Sequence, residues 1–319
     1  MRGFIIKKQK LLGPFYCLLA AVIWGLSFVA QSVGKDVGTF TFNAVRMALG
    51  FAVLLPYAIV RLRRGEAPAA GAQAQKTSLR TLALAGLCCG IPLCIGVNLQ
   101  QHAFNYLEVG KVGFITALYM LLVPVFGLFL HQRASLNVWI GVALGMVGLY
   151  FISIRPGGFS VGTGELITVI GAVAFAAHIL VVDHFCRKVD TVALSCAQFL
   201  VTAVLSGVCM LVFESPSMSA ILAAKWPLLY TGIMSCAVAF TAQVFGQKYA
   251  APAVASLLLC TESVFSVLFG WILLDQMLTA RELFGCGVMF AAVVLTQIPT
   301  ERFHRAASPE HSIKQEKQS

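Results

Sequence analysis

Charge is scarce in this sequence. Only 11% of its 319 residues are Asp, Glu, Lys or Arg, against about a quarter in ordinary soluble domains. A soluble protein of this length needs polar side chains over its surface, so the scarcity excludes water as the main solvent. Catalytic and metal signatures are also missing. Within the apolar blocks there is no HExxH, no GxSxG and no pair of close acidic residues, which argues against an intramembrane enzyme. Ten cysteines are present, yet no CxxC pair meets a second pair or a His at ligand spacing. They read as small apolar packing residues, and no metal or cofactor is implied. The glycine-rich stretch Arg155–Thr163 lacks the GKS/T ending of a phosphate loop and follows no strand.

What fills the chain instead is hydrophobic sequence, 59% of all residues. It is arranged in blocks of about 18–23 residues, each long enough to cross a bilayer core as one helix. Helices are the only open-chain way to satisfy backbone groups in lipid. Spans are therefore expected near 15–33, 40–60, 82–103, 108–130, 137–154, 164–183, 191–213, 226–247, 251–274 and 282–299. The fold class is all-α integral membrane. The N-terminal Lys7, Lys8 and Lys10 before an apolar run imitate a signal peptide, but no cleavage site followed by a soluble domain appears, so the first block reads as a retained span.

The formal charge of +10 does not form the basic, aromatic-interleaved face of a nucleic-acid binder. It marks topology. Of the 23 Lys and Arg residues, 17 fall on one set of alternate segments. Five (Lys35, Lys111, Arg155, Lys225 and Arg281) fall on the other, and one, Arg46, lies inside a span. This positive-inside bias assigns both termini to the cytoplasm of a bacterial-type inner membrane.

The two halves repeat about the Arg155–Thr163 linker. Gln100, Tyr106 and Phe126-Gly127 match Gln243, Tyr249 and Phe269-Gly270 at a constant offset, and Phe42–Arg46 lines up with Leu194–Gln198. Five spans is an odd number, so the second half enters the membrane from the opposite side and the repeat is inverted. The expected organisation is a cytoplasmic segment 1–14, a five-helix repeat 15–154, an external linker 155–163, a second repeat 164–299 and a cytoplasmic tail 300–319. Two antiparallel twins can open a central site to each face in turn, which suits a carrier of small solutes; inverted repeats also occur in channels.

Polar residues within spans cost free energy, about 2.5–3.5 kcal/mol for a charge near mid-bilayer. Glu262 sits at the middle of the ninth span between Thr261 and Ser263, and its repeat partner is Tyr119 in the fourth. Both are expected to face one central cavity, with Glu262 as a proton-titrating or cation-binding carboxylate or as half of a structural contact. Arg46 can bind an anionic solute group, pair with a carboxylate or snorkel outward. His178 is a packed residue or a proton relay. Gln100 and Gln243, with Asn98 beside the former, line or gate the path or bond between helices. Trp24 lies too deep for an interfacial belt. Pro92 and Pro124 are expected to interrupt the third and fourth spans beside the solute path. Gly141 and Gly145 suggest close helix packing, with a homodimer contact as one form of it. The polar lining suggests a hydrophilic cargo.

Several segments together resemble the drug/metabolite transporter superfamily, and within it the EamA-type transporters. They are Ala21–Phe28, Phe42–Arg46, Phe114–Pro124, Ser135–Tyr150, Gln198, Gln243–Tyr249 and Thr261–Phe265. The resemblance implies ten helices, cytoplasmic termini, a cavity between the halves, and export or exchange of small organic metabolites across a lipid membrane. Two departures stand out. The family's usual Pro after the mid-span Glu is Ser263 here, which puts the local helix break in question. Gln132 and Gln276 stand where acidic residues are common.

Overall fold

The computed structural model describes residues 2–64, 78–132, 134–153, 162–274 and 279–297, and every regular element among them is helical. The first half contains α1 (Arg2–Val33), α2 (Thr39–Arg64), α3 (Leu79–Ala103), α4 (Val109–Thr116), α5 (Tyr119–Phe129) and α6 (Leu136–Ser153). The second contains α7 (Thr163–Phe185), α8 (Thr191–Phe213), the short α9 (Met218–Ala223), α10 (Lys225–Tyr230), a π-helical turn region (Thr231–Phe240), α11 (Thr241–Tyr249), α12 (Pro252–Leu259), α13 (Glu262–Leu274) and α14 (Ala280–Gln297). Most of the 155–163 linker, the tail from 298 onward and Gln276 lie outside the described residues.

Eight helical stretches are long and apolar enough to cross a membrane, with α4/α5 forming one, α10 to α11 another and α12/α13 a third. Two further 18-residue apolar helices, α6 and α14, pack against each other. Outward-facing side chains are apolar. On α3, Leu84, Leu87, Ile91 and Ile95 form an exposed stripe at helical spacing, a lipid-facing surface that water would not tolerate.

The helix contacts show the internal symmetry directly. α1 packs on α10–α11 and α12/α13, while its counterpart α7 packs on α3 and α4/α5. α2 meets the π segment as α8 meets α3, and the pairs α2·α8, α6·α14 and α4/α5·α12/α13 map onto themselves. The fold is thus an all-α membrane architecture of two inverted repeats, interleaved instead of set side by side.

Lipid tails are as apolar as leucine, so helix association here rests on close packing and hydrogen bonds. A Cβ on Gly25 would stand 2.3 Å from Phe265 Cβ, and one on Gly148 would stand 2.9 Å from the Gly285 carbonyl oxygen. Gly141 lies against Thr296 and Gly145 against Met120. These glycines therefore serve packing within one chain, which leaves a homodimer contact through them without support. The α2/α8 pair is clamped at both ends by carboxylates. Glu214 accepts from Phe40 N (2.9 Å), Thr41 N (2.8 Å) and Thr41 Oγ1 (2.8 Å) at the start of α2. Asp190 accepts from Val192 N and Ala193 N, each at 3.0 Å, and from Arg61 Nε at 2.9 Å. Anions at helix N-termini satisfy orphan N–H groups and the helix dipole together.

Proline behaves differently from the sequence expectation. α3 runs unbroken through Pro92 and α5 through Pro124. Close to Pro92, Thr202 Oγ1 of α8 donates to the Gly90 carbonyl at 3.1 Å and ties the two helices together. The interruption of the fourth span falls instead at Ala117-Leu118, and a matching one falls at Cys260-Thr261.

Candidate functional site

The two interruptions face each other. Tyr119 is the first residue of α5 and Glu262 the first of α13, and the Tyr119 hydroxyl donates to Glu262 Oε1 at 3.1 Å. Both side chains are buried, each 4% exposed. A carboxylate at the first position of a helix lies where the backbone N–H groups are unpaired and the dipole favours negative charge. The break at Glu262 forms without the family's proline. Thr261 Oγ1 donates to the Leu258 carbonyl at 2.7 Å, and Ser263 Oγ reaches across to the Gly113 carbonyl of α4 at 3.1 Å. Ser263 thus ties one half-helix junction to the other.

Around this pair lies a narrow cleft. Its lining includes Trp24, Phe28, Gln31, Arg46, Gln100, Thr116, Tyr119, Phe175, His178, Ser235, Phe240, Gln243 and Glu262. The cleft comprises about 490 Å³ of space free of atoms, counting its opening to solvent.

Of the residues singled out from sequence, Glu262, Tyr119, Arg46, Trp24, Gln100, Gln243 and His178 line this cleft. Asn98 does not. Its side-chain NH₂ donates to the Cys94 carbonyl at 2.8 Å and to Ser206 Oγ at 2.9 Å, and its Oδ1 accepts from Asn43 Nδ2 at 3.0 Å. It clasps α2, α3 and α8 together. Trp24 Nε1 donates to the Ser235 carbonyl at 3.4 Å inside the π segment, whose wider turns leave carbonyls available. His178 Nε2 lies 2.9 Å from Gln198 Oε1. Gln100 Nε2 donates to Thr116 Oγ1 at 3.3 Å, next to the break in the fourth span.

The cleft is closed at both ends by bonds between helices. Towards Val33, Gln101 Nε2 donates to the Gln31 carbonyl (3.1 Å), Thr39 Oγ1 pairs with His102 Nδ1 (3.3 Å), and Lys111 pairs with Glu165. Towards Leu11, Gln243 donates to Gln247 (3.1 Å), which donates to the Ile179 carbonyl (2.8 Å), and the Tyr16 and Phe245 rings stack at 5.5 Å. Inside, several polar atoms have no protein partner: Gln31 Oε1, Arg46 Nε and Gln243 Oε1. Buried polar atoms are nearly always bonded; three of the ten unmet ones among the described residues belong to side chains that line this cleft.

Sequence models of known families were compared with this chain. That of the EamA-like transporter family matches twice, over residues 11–154 and 162–298. The chain belongs to the EamA-like transporter family. Among its relatives is an uncharacterized transporter of Archaeoglobus fulgidus, 26% identical over 292 residues, 91% of this chain and 87% of the relative. The uncharacterized transporter YoaV of Bacillus subtilis is 23% identical over 279 residues, 84% of this chain and 92% of the relative. A solved structure, described only as the crystal structure of a protein, shares the fold with a TM-score of 0.70 at 20% identity, covering 91% of this chain and 96% of its own. Membership makes this protein a multi-pass membrane transporter with a small-molecule solute as its partner, and points away from an enzyme. The aromatic rings Trp24, Phe28, Phe175 and Phe240 in the cleft also revise the hydrophilic lining read from sequence, since that reading weighed only the polar residues.

Proposed function

We propose that this protein is a secondary transporter that carries a small organic metabolite across the cell membrane by alternating access, in the direction of export or exchange. In this reading all ten apolar stretches cross the bilayer, and the termini and the Leu11 end of the cleft face the cytoplasm. Residues 15–154 and 164–299 are the two repeats that exchange conformations around the cleft. The observation that carries the reading is the meeting of two helix breaks, related by the repeat, at the buried Tyr119–Glu262 contact. Discontinuous helices at the repeat interface are where carriers of inverted-repeat design hold solute and coupling ion.

The Leu11 end of the cleft is closed by neutral hydrogen bonds and a ring contact, and the Val33 end by two neutral hydrogen bonds and the Lys111–Glu165 ion pair. Interhelical hydrogen bonds within a membrane contribute only about 0.6 kcal/mol each on average, so few strong contacts hold either end shut. Glu262 is the titratable group at the junction, and in this reading it carries the coupling proton, with Tyr119, Trp24, Gln100 and Gln243 along the path.

The test uses purified protein in liposomes with a solute found by ligand-dependent thermal stabilisation. Uptake is expected to saturate, to show counterflow and to respond to an imposed pH gradient. Glu262→Gln is expected to abolish the pH-driven component while leaving helicity and melting behaviour close to native. Linear, non-saturating flux without counterflow would identify a channel and overturn the carrier reading. PH-driven uptake that survives Glu262→Gln would overturn the role of that carboxyl.

A further inference from the structure

The cleft holds one cation that no protein group answers. Arg46, in α2, is 2% exposed and lines the cleft beside the aromatic rings. Its Nε has no acceptor. Among the described residues its guanidinium forms no ion pair and no hydrogen bond, and its recorded neighbour is the Phe42 ring, 5.7 Å from the centroid. A guanidinium carries five N–H donors in a planar fork and stays charged in proteins. Buried charges are otherwise paired, because an uncompensated one is the costliest group a protein can bury.

The second repeat fills this place differently. The residue matching Arg46 is Gln198, whose Oε1 meets His178 Nε2 at 2.9 Å while its own Nε2 has no partner. A neutral pair closes the second half, while the first keeps a charged fork with open donors. The cleft's carboxylate does not supply the missing partner: Glu262 Oε1 accepts from Tyr119, and among the described residues no ion pair joins Glu262 to Arg46. The remaining walls are largely apolar: Trp24, Phe28, Phe175 and Phe240.

We infer that Arg46 is the recognition site for the carboxylate of an organic anion whose apolar body lies against those four rings. The planar fork matches a carboxylate in two parallel N–H···O bonds, a geometry that a single ammonium cannot reproduce. As a statement about cargo, the inference rests on the carrier reading above. As a statement about binding, it stands without it.

The test compares carboxylates with amides of the same size: phenylacetate against phenylacetamide, and hexanoate against hexanamide. Thermal stabilisation of the purified full-length protein is measured at constant ionic strength. At least one carboxylate is expected to bind about tenfold or more tightly than its amide, the scale of one hydrogen bond to a charged group. Arg46→Gln is expected to erase that preference, and Arg46→Lys to keep its sign but weaken it. The wild-type comparison decides the matter even if Arg46→Gln fails to fold. Amides that stabilise as well as their carboxylates, absence of stabilisation by every carboxylate, or a preference that persists in a folded Arg46→Gln would each overturn the inference. Failure of the carrier reading looks different: carboxylates bind through Arg46 but show no counterflow. The reverse failure is saturable counterflow of neutral solutes unaffected by Arg46→Gln.

Discussion

Replacing Tyr119 by Phe removes the hydroxyl that donates to Glu262 and leaves the ring in place. At 3.1 Å the bond is longer than the 2.7–2.8 Å typical of O–H···O contacts, so it belongs in the lower part of its class. Double-mutant cycles on interhelical bonds within a membrane average about 0.6 kcal/mol and reach about 1.7. The coupling between Tyr119→Phe and Glu262→Met is accordingly expected at about 0.6–1 kcal/mol. The single Tyr119→Phe loss should be larger, about 1–3 kcal/mol, because the carboxyl left behind has no other side-chain donor among the described residues. The assay is equilibrium unfolding in mixed micelles followed by helicity, applied to the wild type, both single variants and the double variant. A coupling indistinguishable from zero would refute the contact, and with it the claim that the two helix breaks converge.

Four other outcomes follow from the packing. Gly25→Ala places a Cβ 2.3 Å from Phe265 Cβ and 2.8 Å from the Phe265 backbone carbon; a loss of about 2–3 kcal/mol in micelle unfolding is expected, since backbone has to move, and an unchanged transition would contradict the α1/α13 approach. Glu214→Ala removes the cap on α2 and should cost about 1–2 kcal/mol in the same assay, with Glu214→Gln recovering most of it. Ser263→Pro removes the Ser263 N–H bond to the Cys260 carbonyl and the hydroxyl bond to the Gly113 carbonyl, each 3.1 Å, and should cost about 1–3 kcal/mol while still folding, because the first turn of a helix accepts proline; collapse of the fold would place the break elsewhere. Burial pushes the Cys186 thiol up to about 12, so its thiolate fraction at pH 8 is about one in ten thousand. Maleimide labelling of Cys186 at that pH, followed by mass spectrometry of the peptide, should be far slower than that of a free thiol and should speed up as pH rises.

Much of the architecture is legible in the sequence because membrane insertion leaves a long, unambiguous imprint. Apolar runs set most helix ends to within a few residues, although α1 begins at Arg2, well before the expected start at 15, and the constant offset between halves already paired Tyr119 with Glu262. The helix breaks were misplaced for a physical reason. Pro92 and Pro124 look like interrupters, yet the helices run through both, whereas the breaks fall at Ala117-Leu118 and Cys260-Thr261, which hold neither proline nor glycine. At the second, Thr261 Oγ1 bonds back to the Leu258 carbonyl, a local signal far weaker than a proline. The π-helical turns of Thr231–Phe240 were missed likewise, and with them Ser235 and Phe240 in the lining. Asn98 takes the second of the two roles that the sequence left open, bonding between helices, because residues two apart on a helix point some 200° apart and Gln100 faces the cleft.

The pseudo-twofold relation fails where it bears most on energy, with Arg46 opposite Gln198 and Glu262 opposite Tyr119. Were the halves identical, flipping the molecule would give back the same free energy, and its resting preference for one membrane side would vanish. Ionisable groups confined to one member of each couple remove that degeneracy. In the alternating-access reading proposed above, these two positions are places where the halves differ in charge, and so contribute to which side an empty protein favours.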